Sequence, residues 1–267
     1  MASIPMQRAH QLARLTTAAK LARALPDAPV RVDPPDVLRT ARLALRPLAW
    51  SDREEFIRAL RETRDAAAEY CPIARDGERD DETFDRLLDQ CRAGDATDLA
   101  WRRIAEDRAG RIVGAVNLND ITHGLSPRAE LNFWIRTTDT GRGLATEIIN
   151  AAIAHAFGPR CPRLLREGTR PGLGLSRIDA LVAPGNSPSL AIMRSLKFAI
   201  DAEHPSCRLV VGGRLVEHVR FTRWCDAVRA ARGIDELHPR FARTLDAVTG
   251  IENRAAQDAR ESACATI

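Results

Sequence analysis

The feature that most restricts the fold is a change of hydrophobic period along the chain. "TARLALRPL" sets Leu43 and Leu45 in alternation with Arg42, Ala44 and Arg46, the pattern of a strand with one buried face. "AWSDREEFIRALRET" then moves to helical spacing, with Ser51 at the N-cap position, Glu54 three residues on, and Phe56, Ile57 and Leu60 behind them. A second helix is predicted in "DETFDRLLDQCR", where Phe84, Leu87, Leu88 and Cys91 share one stripe. Three strand-like runs follow with no helix between them: "DLAWRRIAE" and "GRIVGAVNL", parted by the turn "DRAGR", and "AELNFWI", after the loop "NDITHGLSP". Connections this short predict an antiparallel meander, because a parallel crossover takes a dozen residues or more.

Beyond the meander the chain predicts a helix from Leu144 to Phe157, a strand in "SRIDALVAP", a helix in "SPSLAIMRSL", and two strands in "CRLVVGGRLVEHVRFTRW" joined at Gly212 and Gly213. The whole order is strand, two helices, three strands, helix, strand, helix, two strands. It predicts an α/β (α+β) domain, a mixed sheet with helices set against it, and lacks the regular repetition of a doubly wound dinucleotide fold. Residues 1–36 end in the Pro- and Asp-rich "PDAPVRVDPPD" and read as an extension and linker. The domain proper spans 37–226, with "GPRCPRLLREGTRPG" at 158–172 as a surface insertion, and 227–267 read as a helical or partly disordered extension.

Composition excludes several classes of function. At 267 residues with 45% apolar content, no run approaches the roughly 18 apolar residues of a membrane span, and the first residues carry no continuous apolar core of a secretory signal. A net charge of +4, from 40 basic and 36 acidic residues, is too even for a nucleic-acid binder. The Arg-rich "WRRIAEDRAGR" is interleaved with acids and reads as solvated strand ends and a turn. Cys71, Cys91, Cys161, Cys207, Cys225 and Cys264 are scattered, with no C-x-x-C pair and no histidines at zinc spacing, so the expectation is a cytoplasmic protein with reduced thiols and no metal.

Gly141 and Gly143 flank Arg142 directly before the helix from Leu144. Glycines there reach dihedrals other residues avoid and leave first-turn N–H groups open to an anion, with the helix dipole adding attraction. A diphosphate suits such a nest. A plain tight turn after "AELNFWI" is the competing reading. A dinucleotide fingerprint would need a third glycine, and a Walker loop would need G-K-S/T; neither is present.

"TDTGRGLATEIINAAIAHAF" resembles the acyl-CoA-binding motif of the GCN5-related N-acetyltransferase (GNAT) family, and "LVAPGNSPSLAIMRSLKF" resembles that family's second motif. "ARLALRPLAWSDREEF", "GRIVGAVNL", "AELNFWI" and "GGRLVEHVRFTRW" are similar to landmarks of the branch containing the ribosomal-protein N-terminal alanine acetyltransferases. The similarity runs from about Thr40 to Trp224. It implies acetyl-CoA as cofactor, with its pyrophosphate at Thr140, Gly141, Arg142, Gly143, Leu144 and Ala145; Thr140 stands where the family usually has Arg or Gln. It further implies that the sheet splays between 129–135 and 177–182, that the pantetheine arm bonds along Phe133, Trp134 and Ile135, and that Asn186 and Ser189 lie beside that arm. Lys197 takes the place of the glycine in the family's usual L-G-F.

The reaction so implied is transfer of acetyl to a primary amine, of a protein or peptide α-amine or of a small amine metabolite. An ammonium must lose a proton before it attacks, and Glu130 is the candidate base. Alternation puts Glu130, Asn132 and Trp134 on one face of the strand, with Leu131, Phe133 and Ile135 on the other. Asn132 is a candidate for orienting the amine, and backbone N–H groups near Asn132 and Phe133 for polarising the thioester oxygen. Ser189 is the candidate proton donor to the departing sulfur. Tyr70, Asp120 and His218 are candidates for the acceptor side, His123 borders it, and Trp134 and Trp224 are cleft-lining candidates. The alternative is a GNAT-fold module that binds acyl-CoA without turnover. The tails and the insertion leave a homodimer open.

Overall fold

The computed structural model describes residues 37–68, 70, 72–161, 171–201 and 203–232. The expected 1–36 extension, the middle of the 158–172 insertion and most of the 227–267 extension, with Cys71 and Cys264, lie outside the described residues. The rest falls into two compact units, one within 1–124 and 129–154, the other within 125–128 and 155–267.

The first unit carries strands β1 (Leu38–Arg39), β2 (Ala44–Arg46), β3 (Trp101–Glu106), β4 (Ile112–Thr122) and, all but its first residue, β5 (Arg128–Ile135), in that spatial order. Pairing is antiparallel from β1 to β4, with Leu38 opposite Leu45, Leu45 opposite Ala105, and Ile104 opposite Ala115. Leu43 and Leu45 are buried as their alternation requires, although only Ala44–Arg46 pair as a strand. The meander turn is built by Asp107, whose Oδ1 accepts from the N–H groups of Ala109 and Arg111 at 2.9 and 3.0 Å. Gly114 lets β4 approach its neighbour: a Cβ there would sit 2.4 Å from the Trp134 carbonyl oxygen, closer than any side chain tolerates.

Helices α1 (Arg53–Ala68) and α2 (Asp80–Thr97) pack on this sheet. The predicted Ser51 cap with Glu54 is not what starts α1. A 3-10 turn over Trp50–Asp52 precedes it, and Asp52 accepts from the Ala49 N–H at 2.8 Å while pairing with Arg46 at 2.7 Å. A carboxylate that caps and forms an ion pair at once satisfies more charge than a serine hydroxyl would. Phe56 and Phe84 meet edge to face at 5.8 Å, as do Phe56 and Trp134 at 6.1 Å, and Leu48, Leu60, Leu88 and Cys91 complete the core beneath the helices. Burial of a side chain such as Phe84 contributes about 2–3 kcal/mol. Helix α3 (Leu144–Phe157) lies in this unit as far as Ala154 and has the predicted bounds.

The second unit is built on β9 (Arg214–Trp224). Strand β6 (Arg177–Val182) pairs with it antiparallel, and β7 (Ala199–Ile200) and β8 (Ser206–Val211) do so as well. The β8–β9 hairpin turns at Gly212 and Gly213, with φ of +53° and +73°, as their sequence predicts. Buried Asp179 accepts from Thr222 at 2.7 Å and Arg177 at 2.6 Å, and Arg177 also reaches Asp201 at 2.6 Å. Helices α4 (Ser187–Ser195) and α5 (Asp226–Arg232) complete this unit. The insertion's ends are tied together: the N–H groups of Leu173, Gly174 and Leu175 donate to the carbonyls of His155, Gly158 and Ala156 at 2.8–2.9 Å, satisfying acceptors that a helix end leaves open.

The mixed, mostly antiparallel sheet with flanking helices that the order of periods predicts is the architecture found. Among the described residues no helix is long and apolar enough to cross a membrane, and no group of three His, Cys, Asp or Glu side chains is set to hold a metal ion.

Candidate active site

In the first unit, the chain leaves β5 into a loop anchored by Arg136. Its guanidinium is buried and paired with Glu62 at 2.6 Å and Glu55 at 2.8 Å, while its N–H donates to the Val113 carbonyl at 2.8 Å. The hydrogen bond from Arg136 holds the Glu62 carboxyl below its usual range. Thr137–Asp139 then form a 3-10 turn in which buried Asp139 binds Arg142 at 2.5 Å and Arg111 at 3.1 Å. The Thr140 hydroxyl donates to the Thr137 carbonyl at 2.9 Å. Everything before the turn is therefore fixed.

The turn itself is open. Thr140, Gly141, Arg142 and Gly143 are exposed, and the two glycines have φ of +74° and +73°. A Cβ at Gly141 would meet nothing within 4 Å, and one at Gly143 only Arg42 Nη2 at 3.7 Å, so the glycines serve conformation and not crowding. The Glu147 N–H donates to the Gly143 carbonyl at 3.2 Å, which leaves the earlier amides of α3 without an acceptor in the helix. Leu144 is buried and Ala145 half-buried.

A second cation stands at this turn that the sequence reading missed. Arg42 donates through Nε to Glu147 at 2.6 Å and through Nη1 to the Arg142 carbonyl at 2.9 Å. Burial pushes the Glu147 carboxyl up, but hydrogen bonds from the Thr40 hydroxyl and from Arg42 outweigh that and keep it below its usual range. Glu147 is thus held as the anchor of Arg42. An open nest of positive-φ glycines, unpaired helix amides and the Arg42 and Arg142 guanidiniums fits a diphosphate in shape and charge.

The same unit carries a half-open cavity of about 230 Å³ between α1, α2 and the β3–β5 sheet. Asn132 and Trp134 of β5 line it, as their shared face predicts, together with Phe56, Gln90, Arg102 and Asn119 among others. Glu130 is half-buried on the same strand and is not among the lining residues; Phe133 and Ile135 are half-buried. Arg102 and Arg103 do not lie at solvated strand ends: Arg103 is buried and pairs with Asp95 at 3.0 Å, and Arg102 is half-buried against Gln90. Tyr70 is half-buried in the turn after α1. Asp120 is exposed with φ of +52°, and His123 contacts Asp98 at 2.9 Å.

In the second unit Asn186 caps α4, its Oδ1 accepting from the Ser189 N–H at 3.2 Å. The Ser189 hydroxyl is half-buried and takes up no partner among the described residues. Lys197, in place of the glycine, has φ of +59°, and the N–H groups of Lys197 and Phe198 close the end of α4 on Arg194 and Met193 at 3.0 Å. His218 is buried with Nδ1 3.0 Å from the Val216 carbonyl, and Arg177 stacks over Trp224, 5.3 Å from the ring centroid.

A mixed, mostly antiparallel sheet with flanking helices and this glycine turn defines the class: an acyl-CoA-binding fold of the GNAT type. Residues 42–199 match the model of the Acetyltransferase (GNAT) domain, and the chain belongs to that family. Among solved structures it is similar to Mycobacterium smegmatis RimJ in complex with CoA-disulfide, at 20% identity and a TM-score of 0.60 over 74% of this chain and 95% of that one. It is similar to the ribosomal-protein-S5-alanine acetyltransferase from Vibrio fischeri, at 19% identity and 0.58 over 71% and 97%. It is also similar to the microcin C7 self immunity acetyltransferase MccE in complex with acetyl-CoA and AMP, at 15% identity and 0.55 over 69% and 93%. At these identities the likeness is one of fold. No curated protein matches the chain at a significant level.

Proposed function

We propose that this protein is an acetyl-CoA-dependent N-acetyltransferase acting on a primary amine. The observation that carries the reading is the open Thr140–Gly143 turn with Arg42 and Arg142 beside it, in a chain of the GNAT family, some of whose solved relatives hold CoA or acetyl-CoA. Gly141, Gly143 and the first amides of α3 would take the pyrophosphate, with Arg42 supplying the charge that Thr140 lacks. Phe133, Trp134 and Ile135 would carry the pantetheine arm along β5, and Asn186 with Ser189 would contact it from α4. When bound, acetyl-CoA supplies a thioester carbonyl carbon to which the amine bonds and a sulfur that leaves.

Glu130 takes the ammonium proton, directly or through a water, so that the nitrogen has a lone pair to form the new C–N bond. Asn132 orients the amine, and backbone N–H groups near Asn132 and Phe133 stabilise the charge that develops on the carbonyl oxygen. Ser189 donates a proton to the departing sulfur as the C–S bond breaks. Tyr70, Asp120 and His218 remain candidates for acceptor contacts.

The test is calorimetric binding of acetyl-CoA to the purified protein, followed by free-thiol release across a panel of amines. Binding with transfer supports the enzyme; binding without transfer on any amine supports a non-catalytic acyl-CoA module; no binding removes both. Glu130→Gln is expected to lower kcat/KM at neutral pH by about 10²-fold or more, with the gap narrowing as pH rises toward the amine's own pKa, where no base is needed. A constant ratio across pH removes Glu130 as the base.

A further inference from the structure

The cavity of the first unit is walled by three arginines and no acid. Arg86, Arg102 and Arg103 all line it, and no Asp or Glu does. Two of the three are neutralised from behind: Arg86 by Glu78 at 2.6 Å and Arg103 by Asp95 at 3.0 Å. Arg102 is not. Its only side-chain partner among the described residues is the neutral amide oxygen of Gln90 on Nη1, at 3.1 Å. Its Nε is fully buried and donates to nothing, and Nη2 makes no bond among the described residues. Burial pushes the Arg102 pKa down, with Asp120 acting only at a distance. A guanidinium half out of water with no ion-pair partner among the described residues is costly, and a carboxylate in the cavity would match its single charge.

The remaining polar wall is made of amides. Asn117 Nδ2 lies 3.4 Å from Asn132 Oδ1, and Asn119 Oδ1 is buried without a partner, an acceptor that lacks a donor. The cavity thus offers one guanidinium with no ion-pair partner among the described residues, set among Phe56, Ile104 and Trp134. Its volume, about 230 Å³, admits a molecule the size of a free amino acid.

We infer that this cavity receives the acceptor as a small amine that carries a carboxylate, its anion on the Arg102 guanidinium. This rests on the acetyltransferase reading, and deepens it by favouring a free amino-acid-like acceptor over a peptide N-terminus, whose α-carboxylate has become an amide. A single guanidinium without an ion pair matches the charge of a carboxylate monoanion better than that of a phosphate dianion.

The experiment compares matched acceptors: a set of α-amino acids, their carboxamides, and 2-aminoethyl phosphate. Thiol release is followed in the wild-type protein, Arg102→Gln and Arg102→Lys. The best acid is expected to exceed its carboxamide by at least about tenfold in kcat/KM. Arg102→Gln should collapse that ratio toward one through KM, Arg102→Lys should keep part of it, and the Kd for acetyl-CoA should stay unchanged in both. A wild-type ratio near or below one, a ratio that survives in Arg102→Gln, or a preference for the phosphate overturns the inference while leaving the acetyltransferase standing. Should Arg102→Gln not fold, the wild-type ratio and Arg102→Lys decide. Should no amine be acetylated, calorimetry of acid against carboxamide on the CoA-loaded protein decides: acid-selective binding upholds the cavity assignment without the enzyme, and no selectivity ends both.

Discussion

Arg42 stands 100 residues before Arg142 yet donates to its carbonyl, and nothing in the spacing of the chain connects them. The link is Glu147, which takes Thr40 and Arg42 onto the first turn of α3 and so delivers a cation to the place that Thr140 leaves neutral. Because Arg42 is about half exposed, solvent screens part of its attraction, and the loss expected for Arg42→Ala is about five- to tenfold in CoA affinity. Adding Thr140→Arg to that variant should recover most of it. Titration calorimetry checks both, and an affinity within twofold of wild type in Arg42→Ala would show that the charge plays no part. The glycines around Arg142 were legible because glycine is chosen for φ, a local property. Arg42 and Arg102 were not, since their roles depend on where the neighbouring acids turn. Glu106 goes to Arg46, Asp107 to the amides of its own turn, and Asp95 to Arg103, so a balance of charge read along "WRRIAEDRAGR" conceals that Arg102, in the cavity wall, has no ion pair among the described residues.

The helix with a strong period was legible to the residue, α3 spanning Leu144–Phe157, and β6, Arg177–Val182, falls inside the strand-like run "SRIDALVAP". The two-residue strands β1 and β7 are too short to show any period, and the start of α1 is set by an aspartate whose choice over Ser51 depends on Arg46 from the neighbouring strand. The end of α4 shows a different conflict between sequence and geometry. Lys197 departs from the family's glycine, which suggests a different turn, yet the left-handed turn is kept, with φ of +59°. Its exposed side chain gains nothing visible from that strain, and a left-handed non-glycine residue costs about 1–2 kcal/mol. Lys197→Gly should therefore raise stability by about 0.5–1 kcal/mol after the added freedom of the unfolded chain is set against it, or roughly 2–4 °C in Tm. Thermal melting by circular dichroism checks this; a lower Tm would mean that the lysine makes up its backbone strain elsewhere.

Across the whole molecule, both units are held by arginine–carboxylate pairs, and this sets how stability depends on pH. The hydrogen bond from Arg86 holds the Glu78 carboxyl down at about 2. In the second unit burial pushes the Asp201 carboxyl up, but the N–H groups of His204 and Glu203 and the Arg177 guanidinium outweigh it and bring it below its usual range. A carboxylate depressed on folding adds stability that is complete above its unfolded pKa, about 4 for these groups, and is lost as pH falls toward the folded value. For Glu78, half-buried behind the cavity wall, the contribution is on the order of 2 kcal/mol. Acid also protonates the 36 acidic residues against 40 basic ones, so the chain's self-repulsion grows in the same range. The denaturant midpoint is expected to stay level between about pH 6 and 8 and to fall steeply below about pH 4.5. Glu78→Gln should begin lower at neutral pH and fall less steeply, converging on the wild type near pH 2, because it has no proton left to take up. Equilibrium denaturation across this range measures it, and a variant profile parallel to that of the wild type at every pH would show that Glu78 does not carry the acid sensitivity.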